Sequence, residues 1–330
     1  MRQYESFYAE ESIRQLPEYD RIANRYPDLQ WIENYQTFRR QNIVQEKKCL
    51  IFARKRGAWL KPFHCYDDRA YEFLSLDLAE GCLFDCVYCY LQSYSNHGAL
   101  VLFAGQDTLL AELSELHTGK YWISTGLLSD SLLAENEFSY LPEISRRIPV
   151  GSVVELRSKA TCLDALADDE ISREPVVISW SLNPPEIVRD YEYGTASLDA
   201  RLEAAWRAIH LGYRIAFHLD PIFYFDGWKE GYKRLFETLN SFPKDRIAFL
   251  SLGLFRFMPD LGNIIRKRFP YNPILSEEFF IDEDGKYHYF RPIRKEMCKT
   301  LTEWLEPWAG IPVFWSMEPE KRFYNQRQAR

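Results

Sequence analysis

Three thiols in one short segment are the residues most able to do chemistry. The chain reads Glu80-Gly81-Cys82-Leu83-Phe84-Asp85-Cys86-Val87-Tyr88-Cys89-Tyr90, a C-x₃-C-x₂-C spacing. Three thiolates on one loop suit three irons of a [4Fe–4S] cubane, and the fourth iron stays open to a ligand, unlike four-cysteine electron-transfer clusters. A structural zinc site completed by His97 is the alternative. Zinc sites usually draw their ligands as two spaced pairs, and no second pair is present here. The seven cysteines are an odd number, so they cannot all pair within the chain. Clustered cysteines in a reducing compartment point to ligation rather than crosslinking.

Such a loop needs a scaffold to hold it. From residue 73, short apolar or β-branched runs alternate with amphipathic stretches. Strands are expected at Phe73–Leu78, Tyr121–Thr125, Ser152–Arg157, Val176–Leu182, Arg214–Asp220 and Arg246–Leu252. Helices are expected around 89–95, 107–117, 139–147, 162–168, 198–211 and 229–241. This alternation implies βαβ units on a parallel sheet. Six units suggest an α/β fold built as a partial (β/α)₆ TIM-like barrel, with active residues at the C-terminal strand ends. The cysteines follow the first of these strands. An N-terminal extension, 1–70, is expected to be helical with a strand at Cys49–Ala53, ahead of a barrel over 71–258. A C-terminal extension, 259–330, carries a hairpin signal, Asp282-Glu283-Asp284-Gly285. A helix near 293–306 and a strand at Ile311–Trp315 follow.

Bulk properties exclude some classes. The 330 residues are 46% hydrophobic and 16% aromatic, enough for a sizeable core. Mean hydropathy is -0.37. No apolar run approaches the roughly 20 residues of a membrane span, and none behind Met1 resembles a secretory signal, so a cytoplasmic protein without a membrane partner is expected. The net charge of -7 argues against general nucleic-acid affinity. Local basic groups could still dock phosphates: Lys47-Lys48 with Arg54-Lys55-Arg56, Arg266-Lys267-Arg268, and Arg291, Arg294 and Lys295. For each, ordinary solvated surface is the simpler reading.

The cysteine spacing, with an aromatic before the last thiol, resembles the radical S-adenosylmethionine (SAM) superfamily. Further motifs resemble the spore photoproduct lyase family, from about residue 50 to 290. Cys86-Val87-Tyr88-Cys89-Tyr90-Leu91-Gln92 is similar to its C-x-Y-C-Y-L-Q. Ser181-Leu182-Asn183-Pro184 is similar to its S-[IV]-N, and Glu192-Tyr193-Gly194-Thr195 to its E-x-G-T. Ser197-Leu198-Asp199, Arg201 and Glu203-Ala204-Ala205 follow. Pro221-Ile222 with Gly227-Trp228-Lys229-Glu230-Gly231-Tyr232 resembles P-I…G-W-x-E-G-Y.

The resemblance implies that Cys82, Cys86 and Cys89 hold the cluster and that SAM is cleaved reductively to a 5′-deoxyadenosyl radical. It implies that Tyr88 packs near adenine, Lys159 meets the SAM carboxylate, Ser181 the methionine moiety, and Glu192 lies near SAM. Tyr88 and Tyr90 match tyrosines that relay a hydrogen atom. In the family the radical takes hydrogen from C6 of a methylene-bridged thymine dimer, the bridge breaks, and a cysteine quenches the product radical. The implied partners are DNA carrying that photolesion and an electron donor such as flavodoxin or ferredoxin.

Two positions depart from the family. Its quenching cysteine falls at Leu127, within Ser124-Thr125-Gly126-Leu127-Leu128-Ser129-Asp130. Leucine has no weak X–H bond to give. Cys162, three residues after Lys159, is the candidate relocated donor, although a small buried hydrophobe is a cysteine's commoner role. Donation from Tyr88 or Tyr90, return of hydrogen to SAM from 5′-deoxyadenosine, or a different substrate are the other routes. The hairpin, basic in the family, is acidic here, which weakens phosphate binding while leaving aromatics to stack on bases. The rival functions are radical chemistry on another substrate and a non-catalytic iron–sulfur protein. His218 is read as a core histidine; His64, His117 and His210 as surface or packing; Cys49, Cys65 and Cys298 as structural.

Overall fold

The computed structural model describes residues 4–40, 42–63, 70–117 and 119–316, so His64 and Cys65 lie outside the described residues. It forms two compact units. The first holds 4–63, 70–85 and 91–178, and the second 86–90 and 179–316.

In the first unit a mostly parallel sheet is built from β1 (Ser6–Glu10), β2 (Gln30–Ile32), β3 (Cys49–Arg54), β6 (Ala79–Glu80) and β8 (Leu100–Ala104), in the order β2-β1-β3-β8-β6. Helices α1 (Tyr19–Arg25) and α2 (Ile43–Glu46) connect its early strands. The expected helices of this region are therefore partly replaced by β1 and β2. The reason is visible in β1: Phe7, Tyr8, Ala9 and Glu10 are all buried, so a strand with neighbours on both sides shows no alternation. Glu10 is 0% exposed and is met by Arg56 at 3.0 Å and the Tyr35 N–H at 3.0 Å. Antiparallel β6 pairs Glu80 with Val101 of β8, which fixes the entrance to the cysteine loop.

The same unit carries β4 (Leu60–Pro62), β5 (Glu72–Leu76), β9 (Tyr121–Ser124) and β10 (Val153–Ser158), ordered β4-β5-β9-β10 and followed by β11 (Val176–Ser181), within which the unit boundary falls. Around them run α3 (Leu91–Tyr94), α4 (Gln106–Ser114), α5 (Ser131–Glu137) and α6 (Leu141–Arg147), while the unit boundary falls within β7 (Asp85–Cys86). In the second unit the order is β11, β13 (Arg214–Ile222), β14 (Ile247–Leu254) and β18 (Val313–Trp315). Its other elements are β12 (Glu192–Tyr193), α7 (Pro185–Tyr191), α8 (Leu198–His210), α9 (Trp228–Leu239), α10 (Pro259–Arg268), β15 (Arg256–Phe257), β16 (Phe279–Ile281), β17 (Tyr287–Tyr289) and α11 (Arg291–Glu303).

In the larger sheet the parallel strands of each unit follow one another in chain order, with helical segments between them. That is the winding of a barrel rather than of a doubly wound sheet, and the fold is the partial TIM-like barrel the sequence suggests. All six expected strands form, within two residues at most ends. The helix expected over 162–168 is only a 3₁₀ turn, Asp164–Ala167, too short to place an α-helical cap. Helix α5 was not foreseen, although Asp130 caps it by accepting from the Leu133 N–H at 3.2 Å. No helix among the described residues is long and apolar enough to cross a membrane.

Candidate active site

The second unit assembles a buried polar network at the C-terminal end of β11. Its centre is Glu192, 2% exposed. Oε1 of Glu192 accepts from the Tyr88 hydroxyl and, at 3.0 Å, from Asn183 Nδ2. Arg201 Nη2 lies 2.6 Å from Oε2, with both side chains fully buried. Arg201 also donates to the Ser181 carbonyl at 2.9 Å, the Ala196 carbonyl at 2.9 Å and Thr195 Oγ1 at 2.6 Å. Tyr232, from α9, donates to Asn183 Oδ1 at 2.7 Å and accepts from the Phe223 N–H.

The local sequence explains each member. Gly194 has φ 80, which lets Thr195 turn back onto the Glu192 carbonyl at 2.8 Å. Ser197 caps α8 through the Ala200 N–H, and Arg201 then falls on the helix face that buries Ala204, Ala205 and Ala208. Sequence reasoning quoted Arg201, Asn183 and Tyr232 as motif residues and gave them no role. A charged side chain on an otherwise small, buried helix face was the available signal, since buried charges need partners.

Tyr88 stands between the second and third cysteines. Its ring packs on Phe223, 5.1 Å between centroids, and the Val87 N–H donates to the Tyr191 carbonyl at 2.8 Å. Burial first, then the Glu192 carboxylate, pushes the phenol well above its ordinary range, so it remains a donor. Cys86 is buried and Cys89 half-buried, and the Cys89 N–H closes a turn on the Cys86 carbonyl at 3.1 Å. Tyr90 is 51% exposed. Ser181 is buried, its carbonyl committed to Arg201. His218 is buried with its ring edge-on to Phe249.

The first unit holds Cys82, Lys159, Cys162 and Leu127. Gly81 has φ 84 and donates to the Leu128 carbonyl at 2.8 Å; a Cβ there would stand 2.1 Å from the Ala99 carbonyl oxygen. Cys82 is half-exposed. Buried Asp130 accepts from the Lys159 N–H at 2.7 Å and from Ser158 Oγ at 2.7 Å, which fixes the backbone where Lys159 leaves β10. Burial pushes the Asp130 carboxyl up. Cys162 is half-buried, with Sγ 3.5 Å from the Leu132 carbonyl. Burial and then Asp130 push its thiol up to about 12, so it keeps its hydrogen at neutral pH. Leu127 is half-buried just beyond β9.

The donor set fits an iron–sulfur cluster. Cys82, Cys86 and Cys89 are thiols of one loop and none is in a disulfide. No three His, Cys, Asp or Glu side chains among the described residues are gathered as a metal-holding group, so the fit lies in donor chemistry and spacing.

Elsewhere in the second unit, β16 and β17 form the expected hairpin, with Gly285 at φ 75 in its turn. Phe257 stacks on Tyr287 and Phe279 on Tyr289. Two of the three acids of the tip are engaged locally. Asp282 accepts from Arg294 at 2.8 Å, which holds its carboxyl below the usual range, and Asp284 meets His288 at 3.0 Å. Several cations set aside for phosphate are likewise paired: Arg56 with Glu10, and buried Lys55 with Asp77 at 3.7 Å.

A family model described as spore photoproduct lyase matches residues 152–306. The spore photoproduct lyase of Bacillus subtilis (strain 168) is 24% identical over 306 residues, covering 89% of this chain and 85% of that protein. That of a Geobacillus species is 27% identical over 252 residues, covering 70% and 72%. Among solved structures, spore photoproduct lyase complexed with dinucleoside spore photoproduct superimposes with a TM-score of 0.81 at 20% identity. It covers 94% of this chain and 98% of that one. A mutant with bound AdoMet and dinucleoside spore photoproduct gives the same values. These structures share the fold.

Proposed function

We propose that the chain is a divergent member of the spore photoproduct lyase family, whose model matches residues 152–306, and that it is a radical SAM enzyme that splits a thymine-dimer-type DNA photolesion. The observation that carries this reading is the bond from Tyr88 to Glu192. It ties the segment bearing Cys86 and Cys89 to a network that ends on the carbonyl of Ser181, at a C-terminal strand end.

Cys82, Cys86 and Cys89 hold three irons of the cluster. When bound, the cluster and SAM supply a 5′-deoxyadenosyl radical; the protein supplies position and electrostatics. Lys159 offers an ammonium to the SAM carboxylate, and Ser181 faces its methionine moiety. Glu192 acts through Tyr88, whose ring is set against the adenine. Tyr88, held by Glu192, and exposed Tyr90 are the tyrosines placed to relay the hydrogen atom. Cys162, held as a thiol, gives the final hydrogen that Leu127 cannot. The lesion leaves the base stack to reach the site, which damage makes cheaper. The C-terminal extension, 259–330, meets the substrate. Electrons come from a flavodoxin or ferredoxin in the cytoplasm. Leu127 favours one second reading, the same radical chemistry on another substrate.

The test is to reconstitute the protein without oxygen, reduce it with dithionite and add SAM. Release of 5′-deoxyadenosine, absent from a Cys86→Ala variant, is expected. A reducible cluster that releases none identifies a non-catalytic iron–sulfur protein instead. Retention on ultraviolet-damaged DNA that falls with salt is expected as well; no retention at low salt favours the other substrate.

A further inference from the structure

Lys47 was set aside as one of several cations able to dock phosphate, and the fold uses it otherwise. It closes α2 as the residue after Glu46, and its side chain is only 14% exposed. Nζ donates to the carbonyl of Cys82 at 3.0 Å and to that of Phe84 at 2.5 Å, and stands 3.6 Å from Asp85 Oδ1. An ammonium has three N–H donors; two are given to carbonyls of the four residues that begin the cysteine loop, and its charge faces the Asp85 carboxylate of the same segment.

We infer that Lys47 is a positioning residue for the cluster: it fastens the carbonyls of the loop at Cys82 and sets a positive charge beside a cluster ligand. This rests on the reading that Cys82, Cys86 and Cys89 hold the cluster. Two physical effects follow. The backbone at Cys82 and Phe84 has its carbonyls satisfied while it curls, which presents the Cys82 thiol in one orientation. A one-electron reduction adds negative charge to the cluster, and a nearly buried cation close by favours that state. Asp85, the counter-charge on the same loop, opposes it. A lysine that merely stapled two elements would perform the first task without the second.

The sign of the second effect provides the test. Midpoint potentials of the reconstituted cluster are read by electron paramagnetic resonance during an anaerobic redox titration, with iron and sulfide contents measured alongside. Lys47→Gln is expected to lower the ratio of reduced to oxidised cluster about tenfold at fixed potential, equivalent to about 59 mV for a one-electron couple. Asp85→Asn is expected to move the midpoint in the opposite direction, and Lys47→Arg to stay near the parent. Should Lys47→Gln take up no cluster, recovery of uptake in Lys47→Arg supports the inference, and failure of Lys47→Arg to recover it overturns the inference. Equal midpoints in the parent, Lys47→Gln and Asp85→Asn also overturn it. If the parent protein itself binds no iron and sulfide, the cluster reading fails rather than the role of Lys47.

Discussion

Glu192 and Arg201 are both fully buried, and each is tolerable only because of the other. Removing one partner leaves a charge with no solvent to stabilise it. Arg201→Met should therefore cost about 3–5 kcal/mol in chemical denaturation. Tyr88→Phe removes one donor from a carboxylate that keeps Asn183 and Arg201, and should cost about 1.5–3 kcal/mol. The two variants separate in function as well: the second keeps the fold and slows SAM cleavage by loosening the segment around Cys89. Cys162→Ala should leave 5′-deoxyadenosine release within about twofold of the parent while repaired product falls at least about tenfold, one kcal-scale step in a barrier. Equal product from the parent and Cys162→Ala would exclude Cys162 as the final donor and leave a tyrosine or 5′-deoxyadenosine in that role. At this scale the sequence was legible where chemistry is local. Three cysteines and two tyrosines within nine residues announce themselves. The Arg201–Glu192 pair did not, because its members meet only after the turn at Gly194 and the first turn of α8 bring them together.

The elements matter through the ends they present. Gly81 links β6 to the cysteine loop in a left-handed conformation, pressed against the Ala99 carbonyl. Gly81→Ala adds a strained φ costing about 1–2 kcal/mol and a backbone clash that only a shift of the loop relieves. The variant should melt lower and bind less iron and sulfide after reconstitution. The strands of the barrel were readable as apolar runs between turn residues, and β14 and β13 are recovered almost residue for residue. The N-terminal sheet was not. Short parallel strands such as β1 lack alternation, and their partners are distant in sequence, so no local pattern marks them. The acidic hairpin is a similar case. Composition exposed its acids, and only the fold shows Asp282 paired with Arg294, and Asp284 hydrogen-bonded to His288 and 3.6 Å from Lys286.

For the whole molecule, acidity and the buried carboxyls make stability depend on pH. Burial pushes the Glu135 carboxyl, 3% exposed, up to about 7 from an ordinary 4.5. A raised carboxyl favours the protonated folded state. Its contribution is fully present below about pH 4.5 and is lost as pH rises through about 7, up to roughly 3 kcal/mol. Glu135→Gln should flatten this part of the pH dependence of Tm between pH 5 and 7.5; an unchanged slope would place the titration elsewhere. The proposed activity of the whole molecule is the splitting of a thymine-dimer lesion. It is tested most directly by incubating the reconstituted, reduced protein with SAM and a dinucleotide spore photoproduct, followed by liquid chromatography. Thymidylyl-thymidine and 5′-deoxyadenosine are expected together. Release of 5′-deoxyadenosine with the dinucleotide lesion left intact would contradict it.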